Sequence, residues 1–314
     1  MELILATGLL ATTPILLAAL GGAINMQAGI INIGLDGMML VGAFIAVFVD
    51  WRSGSVVLGC LAGAAAGALI GYLFALPITR LGTDMIVAGL GLAVVMPGFF
   101  GYILPTFFNE QSTIEPSHIP GLSAWRIPAL SHIPGVGPVL FSQDPITYVS
   151  WLCIPATWFL LYRTVLGLRL RAAGHNENVS LGAGLGVKRL RELSTIFAGM
   201  LSGLGGAQLA LVGVQLFTKN MTSGRGFIAL AAFYFGDARP AMTALAALIF
   251  GVSDAVSIRL QTTHIPDQIP EMIPYLAVVA VLIVVALRRR AAERKAAIAA
   301  AGLSELAAIP GGDA

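Results

Sequence analysis

The chain has 314 residues, 57% of them hydrophobic and only 11% charged, with a mean hydropathy of +0.86 and a formal net charge of +2. Soluble domains carry about 25% charged residues, so this composition excludes an ordinary soluble domain and describes an all-α polytopic membrane protein. Two cysteines, Cys60 and Cys153, lie in apolar runs and offer neither a disulfide framework nor metal spacing, and nothing in the charge pattern points to a nucleic acid.

A bilayer core takes about 20 apolar residues to cross. On that measure spans fall near 4–22, 36–50, 55–77, 85–104, 146–166, 192–216, 227–238, 240–260 and 272–288, about nine helices within a range of roughly eight to ten. The first run lacks the basic segment of a cleaved signal and reads as a mature span. Between the first two spans, Asn25–Met39 reads NMQAGIINIGLDGMM, the most polar and least helical sequence of that region. The third span holds GCLAGAAAG at Gly59–Gly67, a small-residue face that lets helices approach closely. Residues 105–145 contain seven prolines and one basic residue, Arg126, and are too long for a simple hairpin. They read as a lid over the external mouth or as a docking segment. The seventh span is too short to cross alone and reads as half a helix.

Orientation follows the lysines and arginines. Residues 163–191 and the tail after 287 hold 11 of the 18 basic residues, which places both in the cytoplasm and leaves 105–145 and the N-terminus outside. The domain layout is therefore one membrane domain over 1–290 with a cytoplasmic loop at 167–191, and a cytoplasmic tail at 291–314.

An ordered pair of motifs recurs. LGGA at Leu20–Ala23 is followed by DGMMLVGAF at Asp36–Phe44, and LGGA at Leu204–Ala207 is followed by RGFIALAAF at Arg225–Phe233. The copies lie in the first and sixth spans, which run in opposite directions. That is the pattern of two inverted repeat units, roughly 4–104 and 192–288, with interrupted helices and a solute route at their interface. Non-helical backbone at membrane depth is tolerable only where protein buries it or where it lines water.

Asp36 and Arg225 occupy matching repeat positions, and each unpaired charge at a helix centre costs roughly 2.5–3.5 kcal/mol. They either gate or pair across the pseudo-two-fold axis or stand at the membrane edge among headgroups. Asn25, Gln27, Asn32, Gln208 and Gln215 are neutral hydrogen-bonding groups that can hold an uncharged hydroxylated solute; interhelical hydrogen bonding is the rival reading. GAGLG at Gly182–Gly186 lacks the lysine of a phosphate loop, and the chain has no Walker motif, so a nucleotide-driven motor must be another polypeptide. GVSD at Gly251–Asp254, with His264, bears a distant likeness to an intramembrane serine hydrolase pair; no HExxH or other metal motif occurs. In the loop GLRLRAAGHNENVSLGAGLGVKRLREL the ends are cationic and the centre, Asn176–Val187, is small and barely charged. This suits a short helix docking on a cytoplasmic partner, or a plain positive-inside loop.

AGIINIGLDGMMLVGAF resembles the signature near the start of ABC-transporter permeases of the branched-chain amino acid and simple-sugar type, and is more narrowly similar to the nucleoside and simple-sugar subgroup. Asp36 stands where that pattern usually has glutamate. GRGFIALAAFYFG at Gly224–Gly236 resembles the second signature, and GLRLRAAGHNENVSLGAGLGV resembles the ATPase-coupling segment, with His175 and Glu177 departing from it. The branched-chain amino acid subgroup more often carries Asn-Phe-Ala-His-Gly-Glu where this chain has NIGLDG.

The resemblance implies a non-catalytic permease subunit of a bacterial inner-membrane importer, with ATP and magnesium bound on a separate ATPase. It implies a second, non-identical permease, a cytoplasmic ATPase and an external solute-binding protein as partners, with lipid around the spans. Coupling to the ATPase falls to Gly174, His175, Asn176, Glu177, Asn178, Gly184 and Val187. The solute route falls to Asn25, Gln27, Asn32, Asp36, Gln208, Gln215 and Arg225. The expected cargo is a nucleoside or simple sugar; a branched-chain amino acid permease and a stand-alone secondary transporter are the alternatives.

Overall fold

Helix follows helix through most of the described residues of the computed structural model, which describes residues 2–108, 113–114, 122, 125–126, 140–212, 215–261, 268–284 and 287. The tail at 291–314, His264 and most of 105–145 lie outside the described residues. Six helices are long and apolar enough to cross a membrane. They are α1 (Glu2–Gln27), α3 (Val56–Arg80), α4 (Met85–Phe107), α5 (Pro145–Arg163), α8 (Val187–Leu211) and α10 (Pro240–Gln261). Three further expected spans also form helices but fall outside that set. The second, α2 (Leu35–Ser53), carries Asp36, Asp50 and Arg52; α9 (Arg225–Phe235) has only 11 residues; and α12 (Ile273–Val284) is likewise short. Shorter helices are α6 (Val165–His175), α7 (Glu177–Gly182) and α11 (Gln268–Glu271).

The helix starts follow from local chemistry. Asp84 Oδ1 accepts from the backbone N–H groups of Ile86 at 2.8 Å and Val87 at 3.1 Å, which caps α4. Asp144 does the same for α5, accepting from Ile146 at 2.9 Å and Thr147 at 3.0 Å, with Pro145 at the first helical position. Thr164 breaks the path between α5 and α6 and caps the latter through Gly167 N–H at 3.1 Å.

Burial sorts the helices. The α1 span is 78% buried and is the central post, with α8, α9, α10 and α5 packed around it. The α4 span is 11% buried and stands at the periphery. Between these extremes, α2, α3 and α8 form a tight seam. A Cβ on Gly67 of α3 would overlap the carbonyl oxygen of Gly199 on α8, and a Cβ on Gly199 would overlap that of Gly67. The small-residue face expected at Gly59–Gly67 is thus the α3 side of this seam. Gly67→Leu is expected to lower the thermal midpoint of the detergent-solubilised chain, since overpacking costs about 1–3 kcal/mol or more. Gly91→Leu on α4, where a Cβ would meet nothing within 4 Å, is expected to leave it unchanged. Equal midpoints for the two variants would remove the seam from the account.

Two short ladders add to the all-helical expectation. β1 (Thr113–Ile114) pairs antiparallel with β4 (Phe217–Thr218), and β2 (Trp125–Arg126) with β3 (Ser142–Gln143). The first ties the segment after α4 to the segment before α9, over a cluster of Phe44, Phe100 and Phe217 with centroid spacings of 4.9 to 5.3 Å.

Candidate functional site

The polar stretch after α1 is a structured break. Asn25 carbonyl oxygen accepts from Ala28 N–H at 2.9 Å and Ile30 N–H at 3.0 Å, and Gly29 takes a φ of 82° that favours glycine. Asn32 Oδ1 accepts from Gly34 N–H at 2.9 Å, so its side chain shapes the turn that launches α2. Asn25 and Asn32 are both fully buried. Neither amide atom of Asn25 meets a partner among the described residues, and such an unmet group costs about 1–3 kcal/mol.

A second break precedes α9. Gln215 and Ser223 have φ values of 52° and 45°, and Gly224 a φ of 77°. The two breaks meet through Asp36. Its Oδ1 accepts from Gly226 N–H at 2.9 Å, and its Oδ2 accepts from Thr222 Oγ1 at 2.9 Å. The carboxylate is 5% exposed and sits at the N-terminus of α9, where unpaired N–H groups and the helix dipole favour an anion. A Cβ on Gly226 would overlap the Asp36 backbone, which is why a glycine stands there.

Asp36 and Arg225 come to the same place, yet Arg225 pairs with Asp254 of α10. Its Nε and Nη2 donate to Asp254 Oδ2 at 3.0 and 2.9 Å. This partner is one the sequence offers only as a lone acid in an apolar run. Ser253 beside it donates its hydroxyl to Ile249 carbonyl oxygen at 2.9 Å, and His264, the other half of the hydrolase likeness, is outside the described residues.

Two cavities flank the breaks. One of about 390 Å³ lies among α1, α8 and α10 and is lined by Gln208, Arg225 and Asp254 with apolar neighbours such as Leu10, Ala11 and Ile258. Gln208 is 2% exposed, with Nε2 3.5 Å from Leu10 carbonyl oxygen. The other, about 560 Å³, is lined by Gln27, Tyr162, Arg171, Gly174, His175 and Arg239. Gln27 Nε2 donates to Ala238 carbonyl oxygen at 3.3 Å. Of the seven residues expected along a solute route, Gln208 and Arg225 line the first cavity and Gln27 the second. Asn25, Asn32 and Asp36 are packed between helices, and Gln215 is exposed beside β4.

The segment expected to couple to an ATPase folds as α6 and α7. Asn176 Oδ1 caps α7 through Val179 N–H at 3.1 Å, and Val179 and Leu181 are exposed on it. Glu177 pairs with Arg191 at 2.9 Å, Asn178 is exposed, Gly184 takes a φ of 77°, and buried Val187 opens α8. Gly174 packs directly on the Gln27 carbonyl oxygen, and Gly29 lies against it. Arg191 Nε donates to Ala28 carbonyl oxygen at 3.4 Å, a contact that sequence spacing alone does not reveal. Among the described residues no group of three or more His, Cys, Asp or Glu is placed to hold a metal.

Among the described residues, six helices long and apolar enough to cross a membrane, one of them the buried post α1, mark a multi-pass membrane protein. Residues 4–287 match the family described as "Branched-chain amino acid transport system / permease component", and the chain belongs to that family. It is similar to the nucleoside ABC transporter permease protein NupC of Lactococcus lactis, at 31% identity over 90% of this chain and 92% of that protein. It is also similar to the putative glucose ABC transporter permease protein TsgC13 of Haloferax volcanii, at 33% over 87% and 88%. The guanosine ABC transporter permease protein NupQ of Bacillus subtilis shows 32% identity over 90% and 91%. Lactococcus lactis and Bacillus subtilis each carry a second permease relative, NupB and NupP. No solved structure matches the chain.

Proposed function

We propose that this chain is the membrane subunit of an ATP-driven importer that moves a nucleoside or simple sugar across the bacterial inner membrane. It pairs with a second, non-identical permease. ATP and magnesium act on a separate cytoplasmic ATPase docked against α6 and α7, and an external binding protein delivers the solute. The observation that carries the reading is the meeting of two helix breaks at Asp36 and Gly226, with one cavity lined by Arg225 and another by Gln27. The nucleoside and glucose names of the relatives support the cargo.

The chain forms one membrane domain over 1–290, with about nine crossings in two inverted units. Reciprocal contacts support the repeat: a Cβ on Gly21 would stand 2.8 Å from Ala198 Cα, and a Cβ on Gly205 3.2 Å from Pro14 Cα. The shift that carries Gly21 to Gly205 also carries Pro14 to Ala198, so the two contacts exchange under one pseudo-two-fold axis. Differential affinity of the ATPase's nucleotide states for outward and inward forms supplies the drive; equal affinity would shift nothing.

The test is uptake into vesicles holding the complete complex, comparing labelled adenosine, glucose and leucine with and without ATP. Uptake of adenosine or glucose that needs ATP is the expected result. Uptake of leucine alone would return the chain to the amino acid branch of its family, and ATP-independent uptake would make it a secondary transporter.

A further inference from the structure

The Arg225–Asp254 pair is costly where it stands. Both groups are largely buried, with side-chain exposures of 15% and 10%, and they face a cavity whose other walls are mostly apolar. Desolvating two charges is repaid only in part by their attraction, so a pair of this kind is weak as a device for stability alone. Both short contacts from the guanidinium end on one carboxylate oxygen, Oδ2, while Nη1 reaches Met221 and Thr222 carbonyl oxygens only at 3.5 Å each. Gln208 adds an amide with a donor and an acceptor on the α8 side of the same space. At about 390 Å³ the cavity falls within the size range of small-molecule sites, about 300–1,000 Å³.

We infer that this cavity is a solute-binding station inside the subunit, built for a neutral polyhydroxylated molecule and floored by the Arg225–Asp254 pair. The inference rests on the importer reading and adds to it a place, a partner residue and a ligand chemistry. A hydroxyl is donor and acceptor at once. Across the ion pair it donates toward the carboxylate and accepts from the guanidinium, so the pair stays paired and no net charge is added. A ribose or hexose offers several such groups, and the apolar side formed by Leu10, Ala11, Leu209 and Ile258 suits a base or sugar face. Exposed Arg259 stands among the lining residues, which makes an anionic solute the competitor to measure. The station adjoins the Asp36 clasp: Arg225 opens α9, and Gly226, the next residue, is the one Asp36 holds.

The experiment uses the complete complex in vesicles. Ala11→Trp narrows the cavity while leaving both members of the ion pair in the chain, and Gln208→Leu roughly keeps the side chain's volume while removing the amide. Ala11→Trp is expected to lower kcat/KM for adenosine or glucose uptake about tenfold or more, and Gln208→Leu to raise KM several-fold, on the scale of one lost hydrogen bond to a neutral ligand. Adenosine monophosphate is expected not to compete. If Ala11→Trp fails to assemble with the ATPase, Gln208→Leu alone decides. Wild-type uptake by the assembled variants, or competition by the monophosphate as strong as by adenosine, overturns the station while leaving the importer intact. Absence of adenosine and glucose uptake in the wild type overturns the importer reading itself, so the two failures are separate.

Discussion

Asp36→Asn is expected to reduce solute uptake by the assembled complex about tenfold or more and to lower the thermal midpoint of the purified chain. The reason is local. Asp36 accepts two hydrogen bonds, one from Gly226 N–H and one from Thr222 Oγ1, and offers only acceptors. An amide of the same shape turns one of those oxygens into a donor that faces a donor. The hydroxyl of Thr222 can rotate to accept, but the backbone N–H of Gly226 cannot. With the amide nitrogen toward Thr222 both contacts can form, but the Thr222 hydroxyl proton loses its acceptor and the charge-assisted bonds become neutral ones about half as strong; with the nitrogen toward Gly226 two donors face each other. A buried group left unmet costs about 1–3 kcal/mol, and each 1.4 kcal/mol is about tenfold in the population of the clasped form. The negative end that the helix dipole of α9 favours is lost as well. Asp36→Glu keeps the charge and is expected to restore uptake in part, in line with the glutamate usual at this point of the signature that the chain resembles. Uptake by Asp36→Asn equal to wild type would show that the clasp does not matter to transport. Two hydrogen bonds from one carboxylate tie the start of α2 to the start of α9 and the turn before it.

The breaks were legible in the sequence and their connections were not. Polar residues and glycines between apolar runs mark where helices stop, and the recurrence of LGGA before DGMM and RGFI marks the two places as related. Pattern alone says nothing about which interruption touches which residue. Asp36 and Arg225 looked like natural partners because they hold equal positions. In the structure Asp36 takes the backbone next to Arg225, and Arg225 takes Asp254 from a neighbouring helix. That choice depends on how α9 and α10 pack, which no periodicity encodes. The helix expected at 192–216 runs from Val187 to Leu211 instead. Lys188, Arg189, Arg191 and Glu192 lower the hydropathy of its first turns, so a hydropathy reading starts it late. Lysine, arginine and glutamate are nevertheless good helix formers, and the helix continues through them. The same effect hid α6, whose arginines read as loop.

In the importer proposed above, Arg191→Gln is expected to leave the complex assembled and its ATPase hydrolysing, yet to cut solute moved per ATP about tenfold. Arg191 touches both α7 and the break after α1. Its Nη2 pairs with Glu177 Oε2 at 2.9 Å, and its Nε donates to Ala28 carbonyl oxygen at 3.4 Å. Gly174 and Gly29 meet beside it, so the end of α6, the start of α7 and the break share one contact region. Glu177 is 46% exposed at its side chain, and an exposed pair is worth only about 0.2–1 kcal/mol. Glu177→Gln is therefore expected to cost little stability and to lower the coupling ratio only a few-fold, with added salt producing the same modest loss in the wild type. Arg191→Gln removes the charge and the forked donor together, so α7 and the break at Ala28 are then linked only through packing. Arg191→Lys separates the two contributions. Lysine retains the charge but presents one ammonium in place of a planar fork, so it loses the separate Nη2 and Nε contacts that Arg191 makes to Glu177 and Ala28. An intermediate ratio is the expected result. A ratio equal to wild type for Arg191→Lys would mean that charge alone suffices and that the bridge to Ala28 carries no motion. A wild-type ratio for Arg191→Gln would move the coupling route to the Gly174–Gln27 packing, which Gly174→Val would then break.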